Sequence, residues 1–459
     1  MNILMTGATG LIGKKLGIEL VRNGHKIKAL VRNIEHAKLE LPFPAELILW
    51  DSSKTLDPQT FDSIDSVINL AGEPVSGARW SKKRKQAIYD SRIVGTKNLV
   101  SSLISSGKKI KSFISTSAIG YYGDSGDQPL RETASAGQGF LSQVCFDWEN
   151  SVKPLRDVTR SCVIRIGVVL TPDGGALGEL IPLYKNGFGG VIGSGNQWMS
   201  WIHVDDLLSV FVEAVGNESY LGAINAVSPQ AARNRDFSHT LAKSMGVRDW
   251  LPIPKQALQL RLGEQSQIVL ESLNVFPEAL RKLKFNFNYP KLDLALNHLI
   301  APLKHPKTGK IVNTLTTYQW VPKPLPEVFE FFSLAKNLET LTPDFLNFKI
   351  TKESSGPMKA GKLIEYDLKL HGIPIHWETE IAEWVDGKSF VDNQLKGPYK
   401  LWYHLHEFSS LGNGTLMKDH VRFQLPIHFI SDAIAGWKVK DDVNKIFDYR
   451  MKTVNKLFG

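Results

Sequence analysis

Gly7-Ala8-Thr9-Gly10-Leu11-Ile12-Gly13 sets three glycines at G-x-x-G-x-x-G spacing, directly after a short apolar run, residues 2–6. Leu11, Ile12, Leu16 and Leu20 then follow at helical spacing. Glycine spacing alone means little in a chain with 37 glycines; a strand before and a helix after give it a mechanism. Gly7 permits a tight turn, and Gly10 lets backbone approach a pyrophosphate seated at the positive end of the helix. Gly13 lets that helix pack closely on the sheet. The segment, with Thr9, Leu11 and Ile12, is a candidate cradle for a dinucleotide. An ordinary strand-to-helix turn is the plainer reading of the same residues.

The end of the second strand selects the dinucleotide. An Asp or Glu there would accept hydrogen bonds from the ribose 2′-hydroxyl of NAD. Here Lys26-Ile-Lys-Ala-Leu-Val31 runs into Arg32-Asn33, 19 residues past Gly13. A guanidinium at that point suits a 2′-phosphate, so NADP(H) is expected over NAD, with Arg32 and Asn33 beside it. Asp51, closing the third strand, is expected near the adenine. Leu70, Ala71 and Gly72, closing the fourth, are expected near the second ribose or the phosphates.

Strand and helix patterns alternate from the start. Strands are expected at 2–6, 26–31, 46–50, 65–70, 111–116 and 162–167, with helices at 11–23, 81–90 and 92–106. That alternation implies a doubly wound parallel sheet covered on both faces, a Rossmann-type α/β domain over residues 1–248. The glycine-crowded stretch after 170 reads as mostly loop. Helical patterns return at 205–216 and 234–245, and 249–300 reads as a small helical lobe. The short polar segment 301–310 reads as a linker. Beyond it six or seven strand-like runs at hairpin spacing end in one amphipathic helix, 431–458. An antiparallel sheet around a long C-terminal helix is expected for 311–459.

Composition narrows the class. Apolar residues make up 42% and charged residues 22% of the 459, as in a folded, soluble chain. No run of eighteen apolar residues exists, so no membrane span is expected, and the N-terminus reads as a strand, not a secretion signal. Two cysteines, Cys145 and Cys162, make neither a disulfide framework nor a metal spacing, which suits a reducing, cytoplasmic setting. The net charge of +9 fits an anionic cofactor. The densest basic run, Lys82-Lys83-Arg84-Lys85, reads as a solvated helix face, so no nucleic-acid partner is expected.

At this point the residues resemble the extended short-chain dehydrogenase/reductase superfamily, and more narrowly its atypical epimerase-family branch. The resemblance rests on Gly7–Gly13, Arg32, Asn69–Gly72, Arg92 followed by Gly95-Thr96, and Ser115-Thr-Ser-Ala-Ile-Gly-Tyr-Tyr-Gly123. Asp147-Trp-Glu149, Arg165-Ile-Gly-Val-Val-Leu170 and Trp201-Ile-His-Val-Asp-Asp206 complete it. It covers residues 1 to about 300, and 249–297 resembles the small C-terminal domain of that branch. Residues 311–459 resemble the START-like, helix-grip (SRPBCC-type) superfamily, through Phe390–Tyr399 and Trp402–His406. That second resemblance implies an apolar cavity for a hydrophobic ligand.

The first resemblance implies Ser117 as the catalytic serine, with Ser115 as its alternative and as a cofactor neighbour. It also implies Arg92 and Arg165 at the cofactor; a structural ion pair is an equal reading of Arg165. Its Tyr-x-x-x-Lys pair is missing. In that pair Tyr exchanges a proton with substrate oxygen while Lys lowers the phenol pKa, but Leu141 and Cys145 stand in those places. Tyr121 and Tyr122 are left as substitute acids or as packing against the cofactor, with Tyr122 the catalytic candidate. Cys145 reads as a redox thiol or, more plainly, a buried small hydrophobe.

Trp198, with Gln197, and His203 are expected at the substrate cleft, and Asp205 or Asp206 as the cap of the following helix. In the C-terminal segment His371, His376, His404 and His406 invite a metal reading. Cavity-lining or surface roles are favoured, and no metal is expected. The leading expectation is an NADP(H)-dependent oxidoreductase or isomerase of a small-molecule substrate, with a fused module for an apolar ligand. A non-enzymatic NADP(H) sensor and a lipid carrier on a Rossmann scaffold are the alternatives. The oligomeric state is left open.

Overall fold

The computed structural model describes residues 1–370, 372–425 and 432–459. The chain divides into two compact units, residues 1–34 with 45–302, and residues 35–44 with 303–459. His371 lies outside the described residues, as do the side chains of Ile434 and Trp437.

The first unit is built on seven strands: β1 (Asn2–Thr6), β2 (Lys26–Val31), β3 (Glu46–Leu49), β4 (Ser66–Asn69), β5 (Ser112–Ala118), β6 (Arg160–Ile166) and β7 (Gly222–Ala226). Their order is β7-β6-β5-β4-β1-β2-β3, with every pairing parallel. The order reverses between β1 and β4, which opens a crevice at the carboxyl ends of these two strands. Both faces are covered, so the strands read as continuous apolar runs: Ile3, Leu4, Met5, Val67, Ile68, Phe113 and Ile114 are all fully buried.

Helix α1 (Leu11–Arg22) follows β1. The two helices expected at 81–90 and 92–106 are one, α2 (Lys82–Ser106), capped by Ser81 and ended by Gly107 in a left-handed conformation. Asp90-Ser91 does not break it, because the Ser91 hydroxyl bonds back to Ile88 O and leaves the backbone helical. Gly95 lies against Ser52, just after β3. Helices α3 (Phe140–Asn150) and α4 (Val204–Gly216) complete the part used below. The glycine-crowded stretch is less irregular than expected: Gly175–Lys185 is a helix. Short helices at Lys255–Leu262, Gln267–Leu270, Glu278–Lys282 and Leu292–Ile300 form the small lobe.

The second unit holds a separate seven-stranded antiparallel sheet. Its strands are β8 (Asn313–Val321), β9 (Lys349–Glu353), β10 (Leu363–Leu370), β11 (Ile373–Val385), β12 (Ser389–Lys396), β13 (Leu401–Leu411) and β14 (Gly414–Gln424). The order is β8-β14-β13-β12-β11-β10-β9. Helix α5 (Asp432–Phe458) closes the chain. Val321, Phe329, Phe332, Ile381, Phe390, Phe408, Met417 and Val454 make one core. Two helices the sequence pattern did not mark, Leu325–Phe332 and Asn337–Leu341, contribute to it. Within residues 301–310, Leu303 is buried and Lys304 bridges to Ile311.

Candidate functional site

The crevice beside β1 is shaped by missing side chains. Gly7 has φ +69°, and a β-carbon on it would stand 2.8 Å from the Leu70 carbonyl carbon. One on Gly13 would stand 2.1 Å from Gly7 O, and one on Gly10 3.2 Å from the same atom. The turn after β1, the start of α1 and the turn after β4 therefore touch backbone to backbone. That leaves the first amides of α1 at the crevice as donors for an anion. The residues present fit a dinucleotide.

A buried polar network holds the β4 turn in place. The Thr6 hydroxyl donates to Asn69 Oδ1 at 2.8 Å and accepts from Leu70 N and Ala71 N, each at 3.1 Å. Asn69 Nδ2 donates to Thr96 Oγ1 and Ser115 Oγ, and Trp148 Nε1 donates to the same Thr96 oxygen. Thr6 is not marked from the sequence, and Thr96 enters there only as part of the Gly95-Thr96 resemblance. A polar residue at the last position of a buried strand, as Thr6 is, was the available signal. Ser115 is 0% exposed within this network, which corrects its expected cofactor contact. Its hydroxyl braces Asn69 from inside.

Gly72 lies directly under Arg92, since a β-carbon there would meet the guanidinium carbon at 2.9 Å. Arg92 bonds Ile88 O and lies over the Trp148 ring, and burial lowers its pKa. Arg32 stands at the end of β2 with its side chain 86% exposed, 3.9 Å from Glu73, and Asn33 follows it. Trp50 N bonds Val31 O, so Asp51 closes β3 alongside that strand end. The Asp51 carboxylate accepts from Ser53 N, which lowers its pKa. The structure thus gathers Gly7–Gly13, Leu70–Gly72, Arg32 and Arg92 around the ends of β1, β2 and β4.

Ser117, Tyr122 and Arg165 come together elsewhere, in the interior. Ser117 Oγ donates to Glu149 Oε1 at 2.8 Å, and Arg165 grips both oxygens of Glu149, each at 2.8 Å. Arg165 also donates to the Tyr122 hydroxyl at 2.8 Å, which in turn donates to Asn225 Oδ1 at 2.7 Å. Arg165 is in the ion pair that the sequence left as one of two readings. Burial pushes the Tyr122 phenol up to about 12, against the lowering pull of Arg165. With donor and acceptor roles both filled, this hydroxyl is poorly placed to exchange a substrate proton. Cys145 is buried and its thiol is pushed up to about 11 by burial, so it is not a ready thiolate.

His203 is not a cleft residue. It is 0% exposed, stacked on Tyr289 at 3.8 Å, with Nε2 3.1 Å from His298 Nδ1. Its Nδ1 accepts from Asp205 N, so His203 itself caps α4. Asp206, expected as a cap, instead accepts from Asn288 N and Tyr289 N at 2.8 and 3.0 Å, tying the lobe to α4. Burial, with His298 and Lys15 adding to it, lowers His203 to about 3. Trp198 lies under the Arg233 guanidinium and donates to Asp127. Gln197 bonds Ile192 O and Val269 O.

An open polar cleft of about 580 Å³ is lined by Lys85, Asp124, Phe140, Lys255, Gln267 and Glu271, among others, and by neither Trp198 nor His203. Phe140 starts α3, next to Leu141. Asp124 is fixed by Ser272 N at 2.9 Å. Burial, reinforced by the charge of Asp124, raises Glu271 to about 7.

Comparison with known proteins agrees with this geometry. Residues 3–225 match the model of the NAD dependent epimerase/dehydratase family, and residues 253–299 match a domain of unknown function (DUF1731). An Arabidopsis thaliana chloroplastic SDR39U1 homolog, an epimerase family protein, is 37% identical over 306 residues, covering 65% of this chain and 87% of its own. The Bacillus subtilis epimerase family protein YfhF is 35% identical, covering 66% and 99%. Among solved structures, human SDR39U1 with NADPH superposes with a TM-score of 0.60 at 29% identity, over 65% of this chain and 99% of that one.

Proposed function

The chain belongs to the NAD dependent epimerase/dehydratase family, and from that premise we propose that it binds NADP(H) at Gly7–Gly13 and acts on a small substrate in the Phe140–Glu271 cleft. The observation that carries the reading is the three-way backbone approach at Gly7, Gly13 and Leu70. Arg32, exposed at the end of β2, is the residue offered to a 2′-phosphate, and the human relative solved with NADPH supports that choice. Bound there, the cofactor supplies or accepts hydride.

The chain's own residues handle the proton. With Leu141 and Cys145 at the usual Tyr and Lys places, the carboxyl pair we assign to the proton is Glu271 with Asp124, which line the cleft together with Lys85, Lys255 and Glu264. Asp124 accepts from Ser272 N–H, and burial, reinforced by the charge of Asp124, raises Glu271 to about 7, so that it holds a proton near neutrality. Glu271 is then the acid and base of the reaction. Ser117 and Tyr122 act as positioning residues that hold the buried Arg165–Glu149 pair. The second unit, an antiparallel sheet with a long closing helix, is read as a helix-grip module fused to this enzyme.

Tryptophan fluorescence of the full chain titrated with NADPH tests the reading. A saturable change is expected. A folded chain that gives none at millimolar NADPH would overturn it.

A further inference from the structure

His404 and His406 are two residues apart on β13 and so share one face of the sheet. Their directly opposed neighbours share that face as well: Asp392 on β12 pairs with His404, and Asp419 on β14 pairs with His406. Strand register alone thus assembles two imidazoles and two carboxylates, all largely buried. Arg450 joins them from α5.

The two carboxylates play different parts. Asp419 Oδ1 lies 2.9 Å from His404 Nε2 and 2.8 Å from His406 Nδ1, and Arg450 reaches the same oxygen at 3.3 Å. An ionised carboxylate only accepts, so these shorter contacts turn an N–H of each ring toward Asp419, although an Arg450 N–H also stands 3.2 Å from His406 Nδ1. The remaining nitrogens, His404 Nδ1 and His406 Nε2, both face Asp392 Oδ2, at 4.0 and 3.0 Å. Two imidazole lone pairs and a carboxylate oxygen converging in this way repel one another unless a cation lies between them. A proton on His406 Nε2 answers the 3.0 Å contact but leaves His404 Nδ1 beyond hydrogen-bond reach. A tetrahedral ion bound at about 2.0–2.1 Å holds its donors about 3.3 Å apart, between the two observed separations.

We propose that Asp392, His404 and His406 bind a divalent first-row transition metal ion of the Zn²⁺ class, with Asp419 and Arg450 as positioning residues. Mixed imidazole and carboxylate donors suit such an ion. The hydrogen bonds from both histidines to one carboxylate are what orient and strengthen metal-bound imidazoles. Three protein donors leave one position open, and the adjoining cavity, lined by Asp392, His406, Arg450, Phe332, Ile381 and Phe390, has about 20 Å³ for a water. That donor count is the mark of a reactive zinc site; a purely structural one is closed by four protein ligands. The grouping of His203, Asp205 and His298 in the first unit does not compare. There His203 Nδ1 is spent on the cap of α4 and Nε2 on His298.

Titration of the full chain with CoCl₂ after dialysis against EDTA tests the site. Visible ligand-field absorption saturating at one Co²⁺ per chain, and erased by ZnCl₂, is expected. Asp419→Asn should keep the band with metal affinity about 10- to 100-fold weaker. The double variant His404→Ala with His406→Ala should lose it. A wild-type chain that is folded by circular dichroism yet shows no band and retains no Zn²⁺ on gel filtration overturns the proposal, as does a band that a folded double variant keeps.

Discussion

The α-carbon of Gly13 faces the carbonyl oxygen of Gly7 so closely that a β-carbon on Gly13 would stand 2.1 Å from it. Neither partner is the end of a flexible side chain, so α1 must shift to admit a methyl group. Gly13→Ala is expected to cost about 1–3 kcal/mol of stability. It should also weaken NADPH binding by at least about tenfold, because the shifted helix carries the amide donors with it. Denaturant unfolding and an NADPH titration on the same sample check both.

Arg32 separates charge recognition from stability. Its side chain is 86% exposed and its ion-pair partner Glu73 is 3.9 Å away, so little folding energy rests on it. Arg32→Glu should leave the unfolding free energy within about 0.5 kcal/mol of wild type. The preference for NADPH over NADH should fall by about 10- to 100-fold, the value of a lost charge-assisted contact. Parallel titrations with the two cofactors read this directly.

Glu149 is expected to matter more to the fold than the serine beside it. Ser117→Ala removes one hydrogen bond from Glu149 and leaves the bidentate pair with Arg165 intact, for a loss of about 1 kcal/mol. Glu149→Leu strands the buried Arg165 guanidinium, and a loss of about 3–5 kcal/mol is expected. Equal costs in urea unfolding would contradict the network.

His203 gives a pH signature. Its folded pKa of about 3 lies below the unfolded value of 6.5, so the unfolded chain binds the extra proton. Its neutral form contributes stability that is fully present above pH 6.5 and is lost as pH falls toward 3. Between pH 7 and 5 the loss from this group is about 2 kcal/mol. His203→Asn keeps an acceptor for Asp205 N–H but cannot titrate, so its pH 7-to-5 loss should be smaller by that amount. Urea midpoints at the two pH values measure it.

What could be read in the sequence followed the contiguity of each feature. The Gly7–Gly13 cradle lies within one strand, one turn and one helix, so spacing was enough. The place of Arg32 at the end of the next strand was legible for the same reason. Ser115, Arg165 and Asp206 were misplaced or left undecided because their partners lie far along the chain. Arg165 is answered by Glu149, and Asp206 by the amides of Asn288 and Tyr289. His203 looked like a cleft residue until Tyr289 and His298 covered it. The same holds for His404 and His406: their shared face could be read from alternation, but Asp392 and Asp419 reach it only through the register of two further strands.

Calorimetric titration of the full chain with NADPH and with NADH tests the central claim most directly. Saturable NADPH binding, with NADH at least about tenfold weaker, is the predicted result. No heat of binding from millimolar NADPH, or tighter binding of NADH, would contradict it.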